Sequence, residues 1–194
     1  MKLKKILLMN VLLCLVMLVV NTASDCRNVS EIKGIAETKI KNIANRPEVV
    51  EAVKEANKEA VRSLSEIFSL DSKWKASEAD DAWVRSFSNN DCAGFLRQIR
   101  NKNNSGKNAF GFSEMFVMDK QGNIVAETEK TSDYWQGDED KFTRSFIGDK
   151  GEIFIANKFY DESSQLYLIQ VSVPVTDPDT GKAIGVLMVG LLDE

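Results

Sequence analysis

Two different hydrophobic periods divide this chain near its middle. Between Glu31 and Phe68 the apolar residues recur mostly every three or four positions, which is the period of an amphipathic α-helix. Pro47 interrupts this segment, and proline is tolerated in the first turn of a helix but not in its interior. We therefore predict either two consecutive helices or one helix kinked at Asn45 to Pro47. Shorter helices and a polar loop at 101–108 follow.

Beyond Phe110 the pattern becomes that of β-strands. Met115–Met118 and Ile124–Glu127 are apolar segments that flank a turn containing Gly122, which predicts a hairpin. Asp138–Phe146 is the length of a short helix. Three later segments predict further strands: Glu152–Asn157, Leu166–Val173 and Ala183–Leu192. Helices followed by about five antiparallel strands indicate an α+β domain with helix packed on one face of the sheet.

The amino terminus has the pattern of an export signal. Three lysines among the first five residues precede the apolar run Ile6–Val20, and the small residues 22–24 then offer a cleavage site. The run of 15 residues is shorter than the roughly 20 that a spanning helix needs. We therefore predict a signal peptide at 1–24 and a mature domain at 25–194, periplasmic or secreted. The alternative is an uncleaved signal that anchors the protein in a membrane.

Composition narrows the function classes. Without the three amino-terminal lysines, 22 basic side chains face 29 acidic ones, and a net charge of about −7 disfavours nucleic acid as a partner. The chain contains no histidine, so the usual general base and the Ser-His and Cys-His nucleophile pairs are absent. We expect no enzyme, metal or cofactor. An enzyme would need two converging carboxylates, for example Asp133 and Asp161.

Two cysteines remain after signal cleavage. Cys26 lies at the start of the mature chain, and Cys92 lies in the middle of the helical half. An oxidising compartment allows such a pair to form a disulfide. We predict that Cys26 and Cys92 are paired, with two separate thiols as the alternative.

Several motifs in a consistent order resemble the Cache family, the PAS-like extracytoplasmic sensor domains of bacterial receptors. The resemblance implies an α+β fold, with a long N-terminal helix or helix pair packed on a roughly five-stranded antiparallel PAS-like sheet. Residues 25–108 would be mainly helical and 109–194 mainly sheet. The motifs are the helix with Pro47-x-Val49, the hairpin Asp119-x-x-Gly122-x-Ile124, the loop 133–139, the turn Phe159–Asp161, the strand end Val171–Val175 and the strand opening Gly181–Val186.

The resemblance also implies a ligand pocket between the sheet and its binding loops. Amine-binding members carry Arg-x-Trp-Tyr on a short helix, whereas this chain has Asp140-Lys141-Phe142-Thr143 and lacks their late aspartate. Lys141 then replaces the arginine as a point charge for a ligand carboxylate. The candidate ligand-binding residues are Asp133, Tyr134, Trp135, Lys141, Tyr160 and Asp161. Their alternative roles are core packing for the rings and turn or solvated positions for the charged groups.

By this resemblance we expect a free-standing periplasmic sensor module without a cofactor. It would bind an amino acid, an amine or a small carboxylate and signal through a membrane receptor or kinase. One alternative is an interaction module with a vestigial pocket, whose long helix pairs with a receptor or with itself in a homodimer. Another is a membrane-anchored sensor subunit.

Overall fold

The first half of the chain is helical, as the three-to-four-residue period predicts. A computed structural model describes residues 28–59, 61–105, 111–161 and 166–193, with the backbone alone at 161. The predicted signal peptide and Cys26 lie outside these residues. The helices are α1 (Val29–Ile35), α2 (Lys41–Ala44), α3 (Pro47–Ala56), α4 (Leu64–Ala76), α5 (Ala82–Ser88) and α6 (Asp91–Asn103), and a π-helical segment (Ala36–Ile40) joins α1 to α2.

Proline and capping side chains set the ends of these helices. The predicted interruption is confirmed: α2 ends at Ala44, and Pro47 is the first residue of α3, where its missing N–H costs nothing. Ser63 caps α4 by accepting from the Glu66 N–H, and the Glu66 carboxylate accepts from the Ser63 N–H in return. The Asn90 side chain caps α6 in the same manner.

The second half forms one antiparallel sheet and a small separate hairpin. Its strands are β1 (Phe112–Met118), β2 (Ile124–Glu127), β5 (Phe154–Ile155), β6 (Phe159–Asp161), β7 (Leu166–Thr176) and β8 (Ala183–Leu192), in the spatial order β2-β1-β8-β7-β5 with β6 also paired to β7. Helix α7 (Asp140–Thr143) and the hairpin β3 (Phe146–Ile147) with β4 (Lys150–Gly151) lie between β2 and β5. The α+β prediction is confirmed.

Helices cover both faces of the sheet, whereas the sequence pattern predicts helix on one face. The first face packs against α1, α2, α3 and α6, and β7 contributes to it Val171, Val173 and Val175. The alternate residue Ser172 faces the other way, on the same side as its cross-strand neighbour Met188 and, one strand further, Phe116. Trp74 of α4 and Val84 of α5 pack on this second face.

Local contacts shorten two of the predicted elements. The helix predicted at Asp138–Phe146 spans only Asp140–Thr143, and Phe146 instead begins β3 while its ring stacks on Phe142 at 5.3 Å. The strand predicted at Glu152–Asn157 is reduced to Phe154–Ile155. In both places tertiary packing overrides the local periodicity.

The apolar side of the long helical segment packs against the sheet of the same chain. Ile40 and Val53, which would serve a self-pairing helix, are both 0% exposed against the first face of the sheet. The described helices include none that is long and apolar enough to cross a bilayer.

Candidate functional site

A cavity of about 510 Å³ lies on the second face of the sheet, next to the loop 128–139 that joins β2 to α7. We call it the sheet cavity. Its volume is in the range of small-molecule pockets. Strands β1 and β7 contribute Glu114, Phe116 and Gln170, the loop contributes Lys130, Thr131, Ser132 and Gln136, and Lys141 of α7 and Phe159 of β6 complete the lining.

Strand alternation places the floor of the sheet cavity. Glu114 and Phe116 are two positions apart on β1 and therefore share a face of the sheet. Gln170 of β7 pairs with Gly190 of β8, and a methyl group at Gly190 would already touch Cγ of Glu114 at 3.4 Å. Because glycine has no side chain, the space between β1 and β7 stays open at this level.

Long-range hydrogen bonds hold the loop against the sheet. The indole N–H of Trp74 donates to the Thr131 carbonyl at 2.8 Å, and the Thr131 hydroxyl donates to the Asp133 carbonyl at 2.8 Å. Asp71 of α4 accepts from the Tyr134 N–H at 2.9 Å through its carboxylate. The loop is therefore fixed by α4, which lies some 60 residues earlier in the chain.

The charged side chains of the sheet cavity favour an anionic ligand group. Among the lining residues, Lys130 and Lys141 supply two ammonium groups and Glu114 supplies one carboxylate, while the carboxylate paired with Lys141 comes from Glu139 outside the lining. The Lys141 side chain is only 11% exposed, pairs with Glu139 at 2.8 Å, and places Nζ 5.7 Å from the ring centre of Phe116. A partly buried ammonium interacts strongly with a carboxylate because the local dielectric constant is low.

Gln136 supplies a neutral acceptor beside these charges. The residue is 1% exposed, and its amide NH2 donates to the Asp133 carbonyl at 2.8 Å. No described residue donates to its Oε1. A buried acceptor without a partner costs free energy.

Glu127 lies behind the wall of the sheet cavity and is fully buried. It faces the same side as its cross-strand partner Phe116, and its Oε2 accepts from the Thr131 N–H at 3.0 Å. Burial raises the pKa of Glu127 to about 7, although the hydrogen bonds from Thr131 and the charge of Lys130 lower it. In the described part of the chain its Oε1 accepts no hydrogen bond.

Of the six residues predicted to bind ligand, Lys141 lines the sheet cavity, and Asp133, Tyr134, Trp135 and Tyr160 do not. Asp133 pairs with Lys75 at 2.5 Å. Burial raises the pKa of Asp133, but the hydrogen bonds from Lys75 and Ser132 lower it by more, so the pKa lies below its ordinary value. Trp135 packs against Phe68 on the outer side of the loop.

The remaining predicted residues occupy three different surroundings. Tyr134 is 4% exposed and packs in an aromatic cluster with Trp74 and Phe87. Tyr160 is half exposed and contacts Tyr167 at 5.3 Å between ring centres. Asp161 ends β6, and its side chain lies outside what the structure describes. Binding roles for all six residues stay predictions.

Cys92 belongs to α6, and its side chain is buried in the core on the first face of the sheet. It is 3% exposed and forms no disulfide with any residue that the structure describes. Burial raises the pKa of its thiol to about 12. Because Cys26 lies outside the described residues, the pairing of Cys26 with Cys92 stays a prediction.

Sequence reasoning missed most of the lining of the sheet cavity. Gln170 and Glu114 are large polar residues within mostly apolar strands, and this departure from the pattern is the signal that could have identified them. Gln136 and Thr131 gave no such signal, because polar residues are ordinary in a loop.

Comparison with known proteins gives matches by structure. No protein-family model and no curated protein matches this sequence. The V. cholerae histidine kinase DctB sensor domain is 14% identical with a TM-score of 0.42, over 84% of this chain and 49% of that domain. The Campylobacter jejuni chemoreceptor Tlp3 sensory domain with isoleucine bound is 17% identical with a TM-score of 0.38, over 86% and 64%.

A third similar structure is the ligand-binding domain of the Pseudomonas aeruginosa amino acid chemoreceptor PctC in complex with GABA. It is 12% identical with a TM-score of 0.36, over 84% of this chain and 59% of that domain. This chain thus spans about half to two thirds of the length of these three domains. All three are sensor or ligand-binding domains of histidine kinases or chemoreceptors.

Proposed function

We propose that this protein is an exported sensor domain that binds a small organic carboxylate in the sheet cavity. The observation that supports this most directly is the composition of that cavity. Two ammonium groups, one carboxylate and an acceptor without a partner, Gln136 Oε1, surround an aromatic floor formed by Phe116. The liganded state is passed on through a membrane receptor or kinase.

Each part of the lining selects a part of the ligand. Lys130 and Lys141 pair with the ligand carboxylate through charge-assisted hydrogen bonds. Gln136 Oε1 accepts from a ligand N–H or O–H, while Phe116 and Phe159 contact its hydrocarbon portion. The ligand class is therefore an amino acid or a hydroxy acid, whose carboxylate competes with Glu139 for the Lys141 ammonium group.

Lys141→Ala is expected to weaken carboxylate binding about ten- to a hundred-fold, because a charge-assisted hydrogen bond contributes roughly 1.5–3 kcal/mol. The measurement is isothermal titration calorimetry with amino acids and hydroxy acids selected by a thermal-shift screen.

Gln136→Leu is expected to weaken the binding of ligands that carry a hydrogen-bond donor next to the carboxylate. The affinity for the plain carboxylate of the same length is expected to stay nearly unchanged.

Lys182→Ala is the matched control. Lys182 lies in the connection between β7 and β8, is exposed, and pairs with Asp149 of the β3–β4 turn. It does not line the sheet cavity. The proposal fails if no compound of the panel gives a saturable shift. It also fails if Lys141→Ala and Lys182→Ala bind the selected compound with equal affinity.

Export through residues 1–24 is part of the same proposal. Expressed in a bacterium, the protein is expected to appear in the periplasmic fraction with an intact mass that lacks these residues, because a signal of this length is removed by signal peptidase. Ser24→Leu is the matched variant, since a large residue before the scissile bond blocks cleavage. A full-length mass for the unmodified protein would contradict cleavage and favour a membrane-anchored form.

A further inference from the structure

A second cavity, of about 250 Å³, lies on the other side of the same loop. We call it the aromatic cavity. Its apolar walls come from α4, α5, the β1–β2 hairpin and the loop 128–139, and the main apolar residues are Leu70, Trp83, Phe87, Ile124 and Tyr134. It shares no lining residue with the sheet cavity, so that the two can be altered separately.

Tyr134 adds a hydroxyl group to this lining. The residue is 4% exposed, and its ring lies 5.7 Å from that of Trp83 and 5.6 Å from that of Phe87, measured between ring centres. No described residue forms a hydrogen bond with its hydroxyl group. Burial raises the pKa of Tyr134 to about 12, so the phenol keeps its proton at neutral pH and is available as a donor.

The charged groups that line the aromatic cavity are already engaged. Arg62 forms an ion pair with Glu59. The Asp119 carboxylate accepts from the backbone N–H groups of Gln121 and Asn123 at 2.7 and 3.0 Å, and also from the Asn123 side chain. A charged ligand would lose its hydration without gaining a free counter-charge, so the lining favours a neutral molecule.

We propose that the aromatic cavity is a second ligand site, for a small neutral molecule with an aromatic or branched hydrocarbon body and one oxygen. The hydrocarbon fills the space between Trp83, Phe87 and Leu70, and the oxygen accepts a hydrogen bond from the Tyr134 hydroxyl. A volume below that of drug-sized pockets limits the ligand to about ten heavy atoms. This site is independent of carboxylate binding in the sheet cavity.

Benzyl alcohol is the probe, titrated into the full mature protein while tryptophan fluorescence is excited at a wavelength that the probe does not absorb. Saturation is expected with a dissociation constant of roughly 0.1–1 mM, as is usual for a ligand of this size. Tyr134→Phe keeps the ring and removes the hydroxyl, and is expected to weaken benzyl alcohol about five- to ten-fold. Toluene, which has no oxygen, is expected to bind both proteins equally.

Two more variants locate the binding. Ala56→Leu extends a side chain into the aromatic cavity from α3 and is expected to abolish binding, whereas Lys141→Ala, in the sheet cavity, is expected to leave it unchanged. Benzylammonium is expected to bind at least ten-fold more weakly than benzyl alcohol, and so is benzoate when it is titrated into Lys141→Ala, in which carboxylate binding by the sheet cavity is weakened.

Four results overturn the proposal. They are the absence of saturation by 20 mM benzyl alcohol, equal affinity in Tyr134→Phe, unchanged affinity in a folded Ala56→Leu, and charged probes that bind as tightly as the alcohol. The melting temperature of each variant establishes that it is folded. A failure here leaves carboxylate binding in the sheet cavity untouched, because that binding is measured with amino acids and hydroxy acids and by comparing Lys141→Ala with Lys182→Ala.

Discussion

Trp74→Ala is expected to destabilise the protein by about 3–5 kcal/mol, the range for removing a fully buried large aromatic side chain. Trp74 is 0% exposed and packs on Trp83, Phe87 and Tyr134 in the core of the second sheet face. The substitution also leaves the Thr131 carbonyl without its indole donor. Urea denaturation followed by circular dichroism measures the loss of stability.

Trp74→Phe separates packing from the hydrogen bond. It keeps much of the ring volume but removes the donor to Thr131, so a loss of about 1–3 kcal/mol is expected. Because Thr131 lines the sheet cavity, this variant is also expected to weaken ligand binding there. A Trp74→Ala protein within 1 kcal/mol of the unmodified one would show that α4 does not hold the loop.

Between pH 5 and pH 8 the protein is expected to lose about 3 kcal/mol of stability as Glu127 ionises. Its native pKa is about 7, whereas its ordinary value is 4.5. Between these two values the native state holds a proton that the unfolded state has released, so stability falls as pH rises. Stability is full below pH 4.5, and the loss is complete above pH 7.

No histidine titration overlaps with that of Glu127, because the sequence contains no histidine. Urea midpoints at pH 5, 6, 7 and 8 and constant ionic strength give the slope. Glu127→Gln is expected to flatten this dependence and to be more stable than the unmodified protein at pH 8. Glu129→Gln, at an exposed carboxylate paired with Arg100, is expected to keep the original slope. Equal slopes in Glu127→Gln and the unmodified protein would contradict the assignment.

Local signals sufficed for most of the fold. Pro47 predicted where the long helical segment breaks, because proline cannot donate a backbone hydrogen bond inside a helix. Asp119 and Gly122 predicted the β1–β2 hairpin, in which Gly122 adopts a positive φ of 82° that other residues rarely take. Such signals depend on a few neighbouring residues and are therefore readable from a single sequence.

The candidate site was predicted only as a segment. Sequence reasoning identified the loop with Asp133, Tyr134 and Trp135 as well as Lys141, but not which side chains face a cavity. Asp71 and Gln121 accept hydrogen bonds from the Tyr134 backbone and the Trp135 side chain, and these contacts orient the two rings away from the sheet cavity. Both partners are distant in sequence, so no local pattern contains this information.

By itself, the sequence determined the α+β class, the order of helices and strands, the break at Pro47, and the lack of histidine chemistry. Only the tertiary structure decided that helices cover both faces of the sheet and that Gln136 and Gln170, rather than Tyr134 and Trp135, line the sheet cavity. The reason is physical: periodicity and turn chemistry act over a few residues. The contents of a cavity, in contrast, depend on which distant segments meet across the sheet.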